Sequence, residues 1–229
     1  MTSVATRLSA AKARLAAACL DCGRTAESVT LLAVSKTQPA AVVREAAAAG
    51  QQAFGENYVQ EALAKMAELA DLRPQLVWHL IGPLQSNKTR AVAEAFDWVQ
   101  SVDRLKIAQR LSEQRPEHLP PLQLCLQVNT SGEASKSGLA PAEVLAVAQA
   151  VAQLPRVRLR GLMAIPEPVV GLQAQRAPHR ALHALLDQLN AHGLGLDTLS
   201  MGMSADLEAA VAEGATLVRI GTAVFGARA

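Results

Sequence analysis

The chain is poor in aromatic residues: Phe, Trp and Tyr together make up 3% of its 229 positions, although half the chain is hydrophobic. Its core must therefore be built from Ala, Val and Leu. Cysteine is scarce as well, with only Cys19, Cys22 and Cys125. An odd number without a framework argues against a disulfide-stapled secreted fold and for a reducing compartment. Cys19 and Cys22 form a C-x-x-C. No second pair accompanies it and no strand precedes it, so a place at the end of a first helix outweighs zinc or redox chemistry. Neither sign of charge dominates: 22 basic residues stand against 20 acidic ones, a net charge of +2. That balance gives nucleic acid and membrane surfaces no electrostatic claim as partners. Lysine is rare among the basic residues, at positions 12, 36, 65, 88, 106 and 136 only. No uncharged run is long enough to span a bilayer. Arg7, Lys12 and Arg14 interrupt any secretory apolar region near the start. The expectation is a soluble, cytoplasmic protein.

What is present is alternation. Val4, Leu8, Ala11, Leu15 and Cys19 recur at helical spacing and suggest a first amphipathic helix that Gly23 can end. Short apolar runs then appear at 30–35, 52–54, 76–81, 97–101, 122–128, 159–165, 198–201 and 217–220. Ala-rich helical patterns separate them at 39–49, 57–70, 86–95, 103–115, 141–153, 173–192 and 204–213. Pro39 and Pro141 suit first helical turns; Gly50 and Gly214 suit helix ends. Eight strand–helix units imply parallel strands joined by right-handed crossovers. In about 200 residues that is an α/β fold of the single-domain (β/α)8 TIM-barrel type, with an extra N-terminal helix, spanning 1–229. A doubly wound open sheet is the runner-up, but no G-x-G-x-x-G follows the first strand. The second strand is the weakest, and residues 166–180 read as the most loop-like segment.

In a barrel, function gathers where strands run into the following helices. "LLAVSKTQP" places Lys36 at the end of the first strand. Desolvation there would disfavour its charged form and leave a nucleophilic amine. The alternative is a lysine that snorkels its head into water. Other junctions carry Glu56, Asn57 and Tyr58, then Gly82, Gln85, Asn87 and Lys88. Beyond them come Ser101 and Asp103, Asn129 to Ser131 with Lys136, and Met163. His79 lies inside the third strand and reads as an inward-facing barrel residue rather than an acid–base group. Asp103 suits a helix N-terminus. Lys88 and Lys136 read as solvated loop lysines, although Lys136, in a Gly- and Ser-rich loop, has a secondary aldehyde or phosphate contact as its alternative. "SMGMSADLEAA" and "VRIGTAVFG" put small residues ahead of helix starts, whose exposed N–H groups suit phosphate. In barrels the phosphate often binds after strands seven and eight. A lysine opposite a phosphate cradle suits a ligand carrying both a phosphate and an aldehyde, and pyridoxal 5'-phosphate is such a cofactor. Another phosphorylated metabolite held without a covalent bond is a weaker alternative.

At this point a resemblance becomes specific. "AVSKTQP", "FGENYVQE", "WHLIGPLQSNK", "SKSG", "RGLMAIP", "LSMGMSADLEAA" and "VRIGTAVFGAR" resemble, in order, the motif series of the pyridoxal phosphate homeostasis protein family. The resemblance runs from residue 31 to the C-terminus. It implies a barrel related to the N-terminal domain of alanine racemase, in the fold type III group of pyridoxal phosphate proteins. It implies Lys36 as the Schiff-base lysine and Arg219 as the arginine facing the pyridine nitrogen. Ser204, Gly221 and Thr222 match the phosphate cradle, Asn57 matches a residue lining the cofactor pocket, and Ser200 and Met203 are expected at the phosphate end. The function implied is intracellular pyridoxal phosphate and amino-acid homeostasis without established turnover, in a monomer that could hand the cofactor to apo-enzymes. The alternative is a racemase-like enzyme. An arginine beside the pyridine nitrogen disfavours protonating it and weakens the ring as an electron sink. Racemisation also needs a second base. In alanine racemase that is a tyrosine brought by a further domain, of which this chain carries no sign; its only tyrosine is Tyr58.

Overall fold

A computed structural model describes residues 3–130 and 137–226. Among these residues, eight strands close into a barrel in sequence order. They are β1 (Thr30–Val34), β2 (Ala53–Glu56), β3 (Val77–Leu80), β4 (Trp98–Val102), β5 (Leu122–Gln127), β6 (Val157–Met163), β7 (Thr198–Ser200) and β8 (Leu217–Ile220). Every pairing is parallel, and β1 closes the ring by pairing with both β2 and β8. The outer layer comprises α1 (Val4–Asp21), α2 (Ala40–Ala48), α3 (Val59–Glu68), α4 (Thr89–Ala95), α5 (Leu105–Gln114), α6 (Val144–Ala152), α7 (Leu172–Ala191), α8 (Leu207–Ala212) and the short α9 (Thr222–Phe225). The expected (β/α)8 barrel with an extra N-terminal helix is what forms.

Alternation along each strand sorts residues between two environments. On β1, Leu31 and Ala33 join the core under the helices, whereas Leu32 packs inside the barrel with Leu217 and Ile81. On β8, Val218 and Ile220 face the helices. Parity therefore sends Arg219 into the lumen with Leu217. Two aromatic contacts stand out: the buried Phe54 and Trp78 lie 5.7 Å apart between centroids, and Trp98 stacks on His79 at 5.1 Å. Arg160, paired with Asp197, covers the Trp98 ring at 5.0 Å.

The extra helix is tied to the barrel's last elements. The Ser3 side chain caps α1 by accepting the Thr6 N–H. Arg7 donates to the Val224 and Phe225 carbonyls, and Arg14 to Glu208 and to the Ser204 carbonyl. In the C-x-x-C, Cys19 is buried in the core and Cys22 is the C-cap of α1. Among the described residues no group of His, Cys, Asp or Glu is placed to hold a metal ion, and no helix is long and apolar enough to cross a membrane.

The loop-like reading of 166–180 overlaps the helical pattern at 173–192, and the structure sides with the helix: α7 begins at Leu172 and carries Pro178 inside it, so that the loop reading is corrected from there on. Proline removes one backbone donor, but burial of His179, Leu182, Leu186 and Leu189 along one face holds the helix together. Backbone approach is closest at Gly161 on β6, where an added Cβ would overlap the Thr198 carbonyl. Gly161→Ala is therefore expected to cost about 2–3 kcal/mol through overpacking between β6 and β7, read as a lowered thermal midpoint. An unchanged midpoint would show that the strands can part without cost.

Candidate functional site

A cavity of about 310 Å³ opens at the C-terminal ends of the strands. Its wall includes Lys36, Asn57, Met203, Ser204, Arg219, Gly221 and Thr222. Seven of the eight residues singled out from sequence thus meet around one space, although nearly the whole chain separates the first from the last. Val34, Ile81 and Phe225 supply apolar wall.

Lys36 follows β1 and is half-buried. The sheet continues one bond beyond the strand, with the Ser35 N–H donating to the Gly55 carbonyl at 3.0 Å. Thr37 then reverses the chain with φ 64°. Behind this turn lies a buried ion pair, Lys65 with Glu56 at 2.6 Å. Sequence reading named Glu56 only as a junction residue and gave Lys65 no role. The available signal was Lys65 on the same helical face as the apolar Ala62 and Met66, with Glu61 one turn before it.

Arg219 is 4% exposed. One terminal nitrogen donates to Ser200 Oγ at 2.8 Å and the other to the Ala164 carbonyl at 2.7 Å. Neither acceptor is charged. Burial pushes Arg219 down to about 10, only partly opposed by the charge of Asp206. The Ser200 hydroxyl in turn donates to Gln100 Oε1 at 2.6 Å, and Gln100 Nε2 lies 2.8 Å from His79 Nδ1. Burial pushes His79 down to about 3, so its ring is neutral. With the amide nitrogen as donor, Nδ1 must accept and the proton sits on Nε2. Arg219 thus heads a chain of neutral dipoles, all pointing the same way. The expectation that Ser200 lines the phosphate end is corrected: it is fully buried and supports Arg219 from below. His79 faces inward as read, at the far end of the same chain.

The other side of the cavity is a backbone surface. Gly202 has φ 90°, and a Cβ there would overlap Ala210, so the tight entry into α8 requires glycine. Asp206 Oδ1 accepts the Met203 N–H at 2.7 Å, and Oδ2 lies 2.9 Å from His179 Nε2. Burial pushes the Asp206 carboxyl up, but the bonds from His179 and Met203 outweigh it and hold it below the usual range. Gly221 and Thr222 begin α9. Both α8 and α9 are too short to build much macrodipole, so their first-turn N–H groups, which lack partners inside the helix, are the main attraction for an anion. On the opposite wall, Asn57 Oδ1 is buried and finds no hydrogen-bond partner among the described residues.

Tyr58 is 57% exposed and, like Lys88 and Met163, does not contribute to the cavity wall. Asp103 precedes α5 and pairs with Arg104 at 2.7 Å. Ser131 and Lys136 lie outside the described residues, so the reading of Lys136 has no structural counterpart.

Fold and cavity define a class: a lysine-bearing barrel of the alanine racemase N-terminal type, with a buried arginine on the same cavity wall. A family model described as alanine racemase, N-terminal domain, matches residues 11–229. The pyridoxal phosphate homeostasis protein of Pseudomonas aeruginosa is 65% identical over 228 residues, covering 100% of this chain and 97% of the relative. That of Escherichia coli K12 is 52% identical over 229 residues, covering 100% and 98%. The structure of PipY from Synechococcus elongatus with PLP bound superposes with a TM-score of 0.85 at 43% identity, over 98% of this chain and 100% of that one. An alanine racemase from Clostridium difficile shares the fold, with a TM-score of 0.70 at 14% identity over 86% of this chain and 52% of its own. The chain belongs to the pyridoxal phosphate homeostasis protein family.

Proposed function

We propose that this protein binds pyridoxal 5'-phosphate through a Schiff base on Lys36 and serves the homeostasis of that cofactor rather than turnover on it. The observation that carries the reading is a buried arginine without a carboxylate partner among the described residues, on the wall of the same cavity as Lys36. A buried cation disfavours folding unless something neutralises or solvates it. An anionic, polar ligand does both. Asn57 Oδ1 offers an acceptor that a ligand or water donor can satisfy. Ser204, Gly221 and Thr222 supply the polar rim for the phosphate, with Met203 beside them. The relatives named for pyridoxal phosphate homeostasis, and PipY with PLP bound, support the same ligand.

When bound, the cofactor supplies an aldehyde for Schiff-base formation and a ring that can act as an electron sink. This chain's residues favour the first property over the second. Arg219 repels a proton on any ring nitrogen placed beside it. The titratable side chains on the described cavity wall are Lys36 and Arg219, which leaves no second base for proton transfer at the opposite face. We extend the proposal to a monomer that releases the cofactor to apo-enzymes. The free cysteines support a reducing compartment such as the cytoplasm.

The test is a spectrum. Titrating the purified protein with pyridoxal 5'-phosphate is expected to raise an absorbance band of the Schiff base, and Lys36→Ala is expected to abolish it. Borohydride reduction and peptide mapping should place the label on Lys36. The same band in Lys36→Ala sinks the assignment. Sustained α-proton exchange from L-amino acids by the loaded protein sinks the reading without turnover.

A further inference from the structure

Behind Lys36, three charged side chains meet that the cavity chemistry does not use. Lys65 Nζ, on the inner face of α3, donates to Glu56 Oε1 at 2.6 Å, to the Ser35 carbonyl at 2.8 Å and to Glu61 Oε1 at 3.1 Å. The Ser35 hydroxyl donates to the same Glu56 oxygen at 2.6 Å. Glu61 Oε1 also accepts the Thr37 N–H, at 2.5 Å. Glu56 is fully buried and Lys65 is 4% exposed. Glu56 Oε2 finds no partner among the described residues.

The covalent arrangement gives these bonds a shared target. The Ser35 carbonyl belongs to the peptide plane before Lys36, and the Thr37 N–H belongs to the plane after it. Lys65 holds the first plane directly and the second through Glu61. Both planes of one residue are thus gripped from the side of α3. The grip also sustains Thr37 at φ 64°, in a region that β-branched residues avoid. Stability alone does not account for this arrangement, because a buried ion pair is often no better for the fold than apolar groups of the same volume. Strained backbone that neighbouring groups over-determine is found where orientation matters.

We propose that Lys65, acting with Glu56 and Glu61, is a positioning residue for Lys36: it fixes both flanking peptide planes so that the amine is presented to the cavity in one orientation. The inference rests on the reading of Lys36 as the Schiff-base lysine. In the step it assists, the unprotonated amine adds to the aldehyde carbon. Its two hydrogens leave with the carbonyl oxygen as water, and a C=N bond remains, with no change in oxidation state. The three charged groups touch none of the reacting atoms. Their contribution is orientation, which governs the rate of such condensations.

Two variants separate orientation from stability. Glu61→Ala removes the acceptor of the Thr37 N–H at a partly exposed site. Glu56→Leu combined with Lys65→Met replaces the buried pair by apolar groups of similar size. Pyridoxine 5'-phosphate, which has the ring and phosphate but no aldehyde, reports occupancy of the cavity without condensation. Hydrogen exchange over residues 35–38 reports the grip without any ligand. Affinity for pyridoxine phosphate is expected to be unchanged in both variants, and the double variant to melt no lower than the parent. Exchange over 35–38 should quicken. The rate at which the absorbance band appears with pyridoxal 5'-phosphate should fall roughly ten- to a hundredfold in the double variant, with Glu61→Ala in between. A parental rate in the folded double variant overturns the proposal; should that variant fail to fold, a parental rate in Glu61→Ala does so. Equal losses of rate and of pyridoxine phosphate affinity also overturn it, because they signal general damage to the barrel. Absence of the band from the parent protein, or its trapping at a lysine other than Lys36, instead refutes the Schiff-base reading.

Discussion

Lys65→Ala is expected to lower the free energy of unfolding by about 3–5 kcal/mol at neutral pH, the range for breaking a buried ion pair by removing one partner. The reason is the carboxylate left behind. Glu56 has no exposure to solvent, and without Lys65 the Ser35 hydroxyl is the one side-chain donor left to it among the described residues. Burial already pushes the Glu56 carboxyl up, against the opposing charge and hydrogen bond of Lys65 and the bond from Ser35. A carboxyl whose folded pKa stands above its unfolded one contributes stability that is fully present below the unfolded value. That contribution is lost as pH rises through the folded value. Removing Lys65 removes the largest downward pull, so the folded value climbs and the loss at neutral pH deepens. Acidification restores a neutral carboxylic acid that the site tolerates better. The deficit relative to the parent should therefore shrink between neutral pH and about pH 5. Urea denaturation at the two pH values measures it. A deficit independent of pH, or one below about 1 kcal/mol, would mean that water reaches Glu56 or that the pair carries little of the fold.

The second large effect runs in opposite directions for stability and binding. Arg219→Met is expected to leave the ligand-free protein as stable as the parent or more so, while weakening pyridoxal 5'-phosphate binding by about ten- to a hundredfold. Folding holds Arg219 at about 10, well below the usual guanidinium range, which corresponds to about 3 kcal/mol of disfavoured charge at neutral pH. A lowered base works against folding wherever it is still protonated, so the penalty persists below that value and is relieved only in strong alkali. Methionine removes the charge and keeps much of the volume. It also strips Ser200 Oγ and the Ala164 carbonyl of their donors, so the net gain in stability should be smaller than the charge penalty. Thermal midpoints without ligand and titrations with pyridoxal and pyridoxine phosphates give the two halves. A variant that binds both ligands as the parent does would remove Arg219 from the site. One that fails to fold would show that the dipole chain through Ser200, Gln100 and His79 is structural in its own right.

The fold was legible because each of its units carries a local signal. Val218 and Ile220 alternate with Leu217 and Arg219, and that parity alone sends the arginine inward. The second strand was weakest in sequence, and its β2 is indeed a short run in which a Cβ added at Gly55 would crowd Leu32 of β1; a strand needs few apolar residues when the neighbouring strand covers it. The segment 166–180 read as loop-like because proline and glycine weigh heavily in a local reading, whereas burial of one face from His179 to Leu189 outweighs a single lost bond in α7.

Within the site, Lys36, Arg219, Ser204, Gly221 and Thr222 announce themselves because the chemistry of each resides in a short motif at a strand end. The groups beneath them do not. Ser200 meets Gln100 across 100 positions of sequence, Arg219 meets the Ala164 carbonyl across 55, and Lys65 meets the Ser35 carbonyl across 30. Those separations follow from helix and loop lengths, which carry no information about the contacts they create. The sequence by itself determined the barrel, the lysine at its mouth and the small-residue turns opposite, since periodicity and turn chemistry are local properties. Only the tertiary structure decided that Ser200 supports an arginine rather than a phosphate, and that a buried ion pair grips the chain on both sides of Lys36. Ring closure sets which side chains share the low-dielectric interior, and burial there sets which of them keep a charge.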